Sequence, residues 1–275
     1  MSTPVLHKSI TVTDVNDVRN ISRVSSDRVW MSDGNNLILT NTAGDTLHHL
    51  TNIDSYYGEH TVNNAGDLIY IDKDHNINKL STDNRSKSIL IKKTKLWKPL
   101  CVYCSRSNRD LLVGMWDYRK TGKVNRYNNT GQHIQTIQHN STGQKLYKSP
   151  AYITENRNDD VIVSDLDKGI VVTEHEGKYR FTYAGPPSGS GLAPLGICTD
   201  ALSHILVCDR NTQTLHMINK DGYFLSLIQT RQHHGIFSPW SLNYDYKTHL
   251  LWVRSWNDRV CVYRYINRQD YLTGN

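Results

Sequence analysis

A chain of 275 residues with 37% hydrophobic and 21% charged residues is admissible as one large all-β domain. It holds no run of 18 apolar residues, so no helix of it spans a membrane. The formal charge of +6 favours an acidic partner, because summed positive potential gathers polyanions, although the same excess would also serve solubility alone.

Residues 5–13, VLHKSITVT, read as a strand that belongs to no complete unit. From there the chain repeats a strand that ends on aspartate. VWMSD ends at Asp33, LIYID at Asp72, LVGMWD at Asp117, VIVSD at Asp165, ILVCD at Asp209, and LLWVRS carries Ser255 at the matching place. The intervals are 39, 45, 48, 44 and 46 residues. Unit one (16–51) has the turn NTAGD with Gly44. Unit two (58–92) starts GEHTVNN, with His60 where other units have proline, and has no turn glycine. Units three (97–138), four (147–184) and five (192–229) open on WKPLCVY, KSPAYIT and APLGICTD and turn at Gly131, Gly177 and Gly222. Unit six (237–266) supplies SPWSLNYD, LLWVRS and RVCVYRYI before the chain runs out.

Four-stranded units of this period are propeller blades. A sandwich would not keep one aspartate-bearing pattern, and blades packed on both faces explain apolar runs such as VIV and LLWV. The prediction is a single domain, 1–275, folded as an all-β, six-bladed β-propeller of four-stranded antiparallel blades. Residues 5–13 should pair with about 259–265 and close the last blade, leaving no free edge. Trp30 and Trp252 are expected between blades.

The P-x-G-I-x-x-D element at Pro194, Gly196 and Ile197 and the following ILVCDRNTQTLHMINKDG, with weaker copies along the chain, resemble NHL repeats. These form the six-bladed propeller at the C-terminus of tripartite-motif (TRIM) ubiquitin ligases. The resemblance covers essentially the whole chain and is strongest in blade five. It implies a reader domain of such a ligase, excised or encoded alone, with any oligomer formed through an upstream module. NHL domains include RNA binders that use a positively charged face.

Chemistry-bearing patterns are few. The anchor aspartates are expected to fix turns by accepting backbone amides, not to hold metal. Cys101 and Cys104 in CVYC lie on a strand and point to opposite faces. The odd count of five cysteines argues for a reducing compartment. With an N-terminus, MSTPVLHKSI, that lacks an apolar signal core, this predicts a cytoplasmic protein in which the sequons at Asn20, Asn84, Asn128 and Asn140 are chance matches. Blade starts offer too few oxygen ligands for calcium, there is no H-x-H, H-E-x-x-H or G-x-S-x-G, and GPPSGSGLAP reads as a connector. No catalytic residues, metal or cofactor are expected.

The first strand of each blade starts, and the second ends, on one face. Its loops carry Tyr57, Trp97, Tyr147, Phe237 and Asn257 together with the candidate ligand-binding residues His60, Lys98, Trp116, Tyr118, Arg119, Lys148, Arg210, Trp240, Arg254 and Trp256. Cations track phosphates and rings stack bases. The expected function is non-catalytic recognition of RNA or another phosphate-bearing nucleotide ligand. The alternative is a platform that recruits protein substrates to a ubiquitin ligase, and a propeller hydrolase or lyase stands last.

Overall fold

The computed structural model describes residues 4–12, 14–15, 17–51, 53, 57–186, 191–229, 238–255 and 259–264, which form six four-stranded antiparallel sheets and no helix. A first strand, β1 (Val5–Thr11), precedes blade one, which is β2 (Asn20–Arg23), β3 (Arg28–Ser32), β4 (Asn36–Asn41) and β5 (Thr46–Thr51). Blade two is β6 (His60–Val62), β7 (Leu68–Ile71), β8 (Ile77–Leu80) and β9 (Lys87–Ile91). Blade three is β10 (Lys98–Cys104), β11 (Leu111–Asp117), β12 (Thr121–Tyr127) and β13 (His133–Ile137). Blade four is β14 (Pro150–Glu155), β15 (Val161–Asp165), β16 (Gly169–Thr173) and β17 (Tyr179–Tyr183). Blade five is β18 (Pro194–Thr199), β19 (Ile205–Asp209), β20 (Thr214–Ile218) and β21 (Phe224–Gln229). Blade six is β22 (Leu242–Asp245), β23 (Leu250–Ser255) and β24 (Arg259–Arg264), with β1 as its outermost strand.

The expected closure is present: β1 pairs antiparallel with β24 from Val5 opposite Arg264 to Thr11 opposite Arg259. The ring is closed on the inside too, because the first strand of each blade packs against that of the next, from β2 round to β22 and back to β2. The core is the set of layers between blades. Trp30, Leu37 and Leu39 of blade one meet Leu68, Tyr70 and Leu80 of blade two, and Ile10, Ile21 and Met31 meet Trp252, Val260 and Val262 across the closure. Trp30 and Trp252 thus lie between blades, as expected from their strand positions. Middle strands such as β15 and β19 are buried at every residue, while the outer β5 has no buried residue. This gradient is why the sequence shows apolar runs rather than alternation.

Charged groups bridge the same layers. Arg126 on β12, only 2% exposed, lies 3.4 Å from Glu155 of blade four and 3.6 Å from Asp110. Arg23 pairs with Asp245 across the closure, and Arg180 joins Asp160 to Asp221 of blade five.

The anchor aspartates fix turns. Asp33 accepts the amides of Asn35 and Asn36 at 2.7 Å, Asp117 those of Arg119 and Thr121, and Asp209 that of Asn211. Asp165 and Asp209 do more: they also accept the amides of Lys148 and Ser149, and of Ala193, just ahead of their blade's first strand. The carboxylate therefore ties the two loops of one face together. Blade two lacks a turn glycine because Asn84 takes its place. Asn84 adopts φ 59° where Gly44, Gly131, Gly177 and Gly222 lie between 84° and 101°, a conformation asparagine tolerates.

Candidate ligand-binding face

The loops that precede first strands and follow second strands converge on one face, and a pocket of about 330 Å³ opens there, lined among the described residues by Arg19, Tyr57, Leu166, Leu195, Arg210 and Trp240 with Ala193 and Pro194. Each side chain is set by local backbone bonding. Arg210 follows the anchor Asp209, and its amide donates to the Ala193 carbonyl (3.0 Å) above β18. Arg19 sits one residue before β2, and its amide donates to Ser32 O (2.6 Å). Tyr57 is held by its amide donating to the buried Glu59 carboxylate, and burial raises the Tyr57 phenol above its ordinary pKa.

Trp240 depends on Gly196, the glycine of the P-x-G-I element. The Gly196 amide donates to Trp240 O (2.8 Å), and a Cβ at 196 would stand 2.5 Å from Ser241 Cα and 2.7 Å from Trp240 O. Those neighbours are backbone and cannot rotate away. Gly196→Ala should therefore cost about 1–3 kcal/mol, the usual effect of overpacking, read as a lowered unfolding midpoint with m unchanged in urea.

Two guanidinium groups flank the Trp240 ring, Arg210 with its central carbon 5.9 Å from the ring centroid and Arg254 at 5.8 Å. They differ in access. Arg210 is exposed, whereas Arg254 is 1% exposed and donates to the carboxylate of Asp17, which also lies 3.6 Å from Arg19 Nε. Arg254, read from the sequence as a surface cation, is instead a buried one with a counterion, as a charge removed from water requires.

His60 is likewise a core residue rather than a surface contact. It is 3% exposed at the start of β6, and Asn20 Nδ2 donates to its carbonyl (2.8 Å) and its Nδ1 (3.2 Å). Burial disfavours the imidazolium and pushes the pKa down to about 3, so the ring is neutral near pH 7. Tyr147 is also buried, with its phenol pKa raised by burial.

Blade three forms a separate group that does not line the pocket. Lys98 opens β10 opposite Trp116, whose ring meets Tyr118 edge-on at 5.4 Å. Tyr118 is 79% exposed and Arg119 is exposed beside it. Trp97 is capped by Lys123 Nζ, 4.2 Å from its centroid. Lys148 is matched by Asp167, 2.8 Å away. Trp256, Phe237 and Asn257 lie outside the described residues. Of the ten candidates, the pocket thus joins Arg210 and Trp240, with Arg254 against the Trp240 ring. Arg19 was not among the candidates. Its position directly before the blade start at Asn20 was the available signal.

Tyr152 forms the floor of this region. It rises from β14 in blade four, and its hydroxyl donates to the Arg19 carbonyl (2.9 Å) ahead of blade one. Blades one and four face each other across the ring, so the side chain crosses the central channel. Gly58 makes room for it, since a Cβ there would stand 2.9 Å from Tyr152 Cδ1. Among the described residues no group of three or more His, Cys, Asp or Glu side chains could hold a metal ion.

No known family matches the chain, and no curated protein matches it in sequence. Solved structures do match in shape. A gluconolactonase from Xanthomonas campestris is 13% identical with a TM-score of 0.70, over 96% of this chain and 95% of the other. A catalytically inactive virginiamycin B lyase from Staphylococcus aureus, with quinupristin, is 16% identical with a TM-score of 0.64, over 92% and 82%. The WD40 β-propeller domain of Doa1 is 14% identical with a TM-score of 0.64, over 98% and 100%. At such identities the likeness is one of fold.

Proposed function

We propose that this propeller is a non-catalytic recognition domain of NHL type that binds RNA or another phosphate-bearing nucleotide ligand in the pocket of Arg19, Tyr57, Arg210 and Trp240. The observation that carries this reading is the juxtaposition of two guanidinium groups with two aromatic rings in one concave site of about 330 Å³. Arginine forks match phosphate oxygens, and exposed rings stack bases. The volume lies at the small end of ligand pockets and accommodates about one nucleotide, so a polymer would present a single flipped or terminal base here. The resemblance to NHL repeats and the net charge of +6 agree with an anionic ligand.

The two classes of residue fail differently. In titrations with AMP and with a random-sequence RNA nonamer pool, Arg210→Ala should weaken binding and lower the salt slope by about one unit for each phosphate that is no longer neutralised. Trp240→Ala should cost about 1–3 kcal/mol with the slope nearly unchanged. Unchanged affinity in both variants, with melting intact, removes the ligand from this pocket. The protein-platform reading, in which substrates are recruited to a ubiquitin ligase, then leads. The exposed Tyr118 of blade three, with the half-buried Trp116 ring beside it, favours it as an aromatic anchor for a protein partner.

A further inference from the structure

The channel on the other side of Tyr152 is a second site, distinct from the pocket above it. It encloses about 650 Å³, within the range of small-molecule pockets, and its mouth is formed by Ser25, Arg106, Lys247 and Thr248, which follow the ends of first strands. It therefore opens on the opposite face of the ring. Its described lining carries three cations, Arg23, Arg106 and Lys247, against one carboxylate, Asp245. Arg23 is committed to Asp245. The side chains of Arg106 and Lys247 have no carboxylate partner among the described residues, and both are exposed at the mouth.

Arg106 is held in place. Its guanidinium lies 4.2 Å from the centroid of Tyr246. The Thr199 hydroxyl donates to the Glu155 carbonyl (2.8 Å), so the Tyr246 hydroxyl, 2.6 Å away, donates to Thr199. The ring is fixed from below, and the flat guanidinium on it keeps its N–H edge for an oxyanion. Tyr244 meets Tyr246 edge-on at 5.0 Å. Arg106 covers one face of the Tyr246 ring, so that face is not open to a base. Further in, Thr154 and Asn243 add hydroxyl and amide groups to the wall.

We propose that this channel binds a sugar phosphate, with the phosphate at Arg106 and Lys247 and the polyol directed inward along the hydroxyl and amide wall. The test isolates the channel from the upper pocket by using the full chain with Arg210→Ala. Calorimetric titration of that protein with ribose 5-phosphate should show one site, tighter than for inorganic phosphate or for ribose alone. Adding Arg106→Ala should weaken it about tenfold or more, the effect of losing a hydrogen bond to a charged group, with the melting temperature unchanged because Arg106 is exposed. No binding in the Arg210→Ala protein, equal binding of inorganic phosphate, or indifference to Arg106→Ala each overturns the proposal. None of these outcomes bears on the nucleotide reading of the upper pocket, which fails only through Arg210 and Trp240.

Discussion

Removing residues 1–13 should abolish the sharp thermal transition or lower it by roughly 10 °C or more, with aggregation on heating. Two losses combine. The deletion strips β1 from β24, leaving the backbone of Arg259–Arg264 as an open edge. It also removes Ile10 and Val12, both buried in the layer with Trp252, Val260 and Val262. Each is worth about 1.5–3 kcal/mol of burial, and in a domain of this size each kcal/mol moves the midpoint by about 2–4 °C. Calorimetry of the truncated protein checks this. A transition as sharp and as high as that of the full chain means that the ring does not depend on this strand.

Arg126→Met should destabilise the protein more than Gly196→Ala does, costing about 3–5 kcal/mol, because it leaves the buried Glu155 carboxylate without its cation. The pH dependence has a definite sign. Burial raises the Glu155 pKa above the ordinary carboxylate value even though Arg126 and Ser105 pull it down. Without Arg126 the folded-state pKa rises further, so the folded protein binds a proton that the unfolded chain releases. The deficit should therefore grow as pH rises from the unfolded-state value through the folded-state value, and shrink as pH falls below it. Glu155→Gln in the same protein should recover part of the loss. Urea unfolding of the three proteins at two pH values reads this directly. A pH-independent deficit in Arg126→Met would assign the cost to lost packing.

The fold was legible because its signals are local and repeated. An aspartate at the end of a buried strand, followed by a turn, states its own role, and Asp165 and Asp209 accept the amides that define their loops. The leftover strand at residues 5–13 could be assigned because five units were complete and the sixth was short by one strand. Arg254 was misread for the opposite reason. It stands at the end of a second strand, among the loop positions of the binding face, and Ser32, Ile71, Trp116, Ser164 and Cys208 at the matching place in other blades give no sign of a buried charge. Its counterion, Asp17, is 237 residues away and meets it only when the ring closes. His60 likewise finds its hydrogen-bond partner, Asn20, in the neighbouring blade. Tyr152 gave no signal at all. A tyrosine in a first strand reads as core, and its reach across the channel to Arg19 is a property of the ring's diameter.

The pocket could be half seen for the same reason. Tyr57, Arg210 and Trp240 occupy the loop positions that the repeat marks, whereas Arg19 joins them only because the closed ring turns separate blades toward one mouth. Blade three carries equally suitable residue types, yet none of them lines that mouth. Residue type selected candidates, and topology sorted them.

The most direct measurement is photocross-linking of the full chain to a random-sequence RNA nonamer pool containing 4-thiouridine, with the modified residues located by mass spectrometry. Recognition at the upper pocket predicts cross-links at Tyr57 and Trp240 that disappear when free AMP is added in excess. Cross-links confined to Trp116 and Tyr118, to the outer strands or to the channel mouth at Arg106 would contradict it.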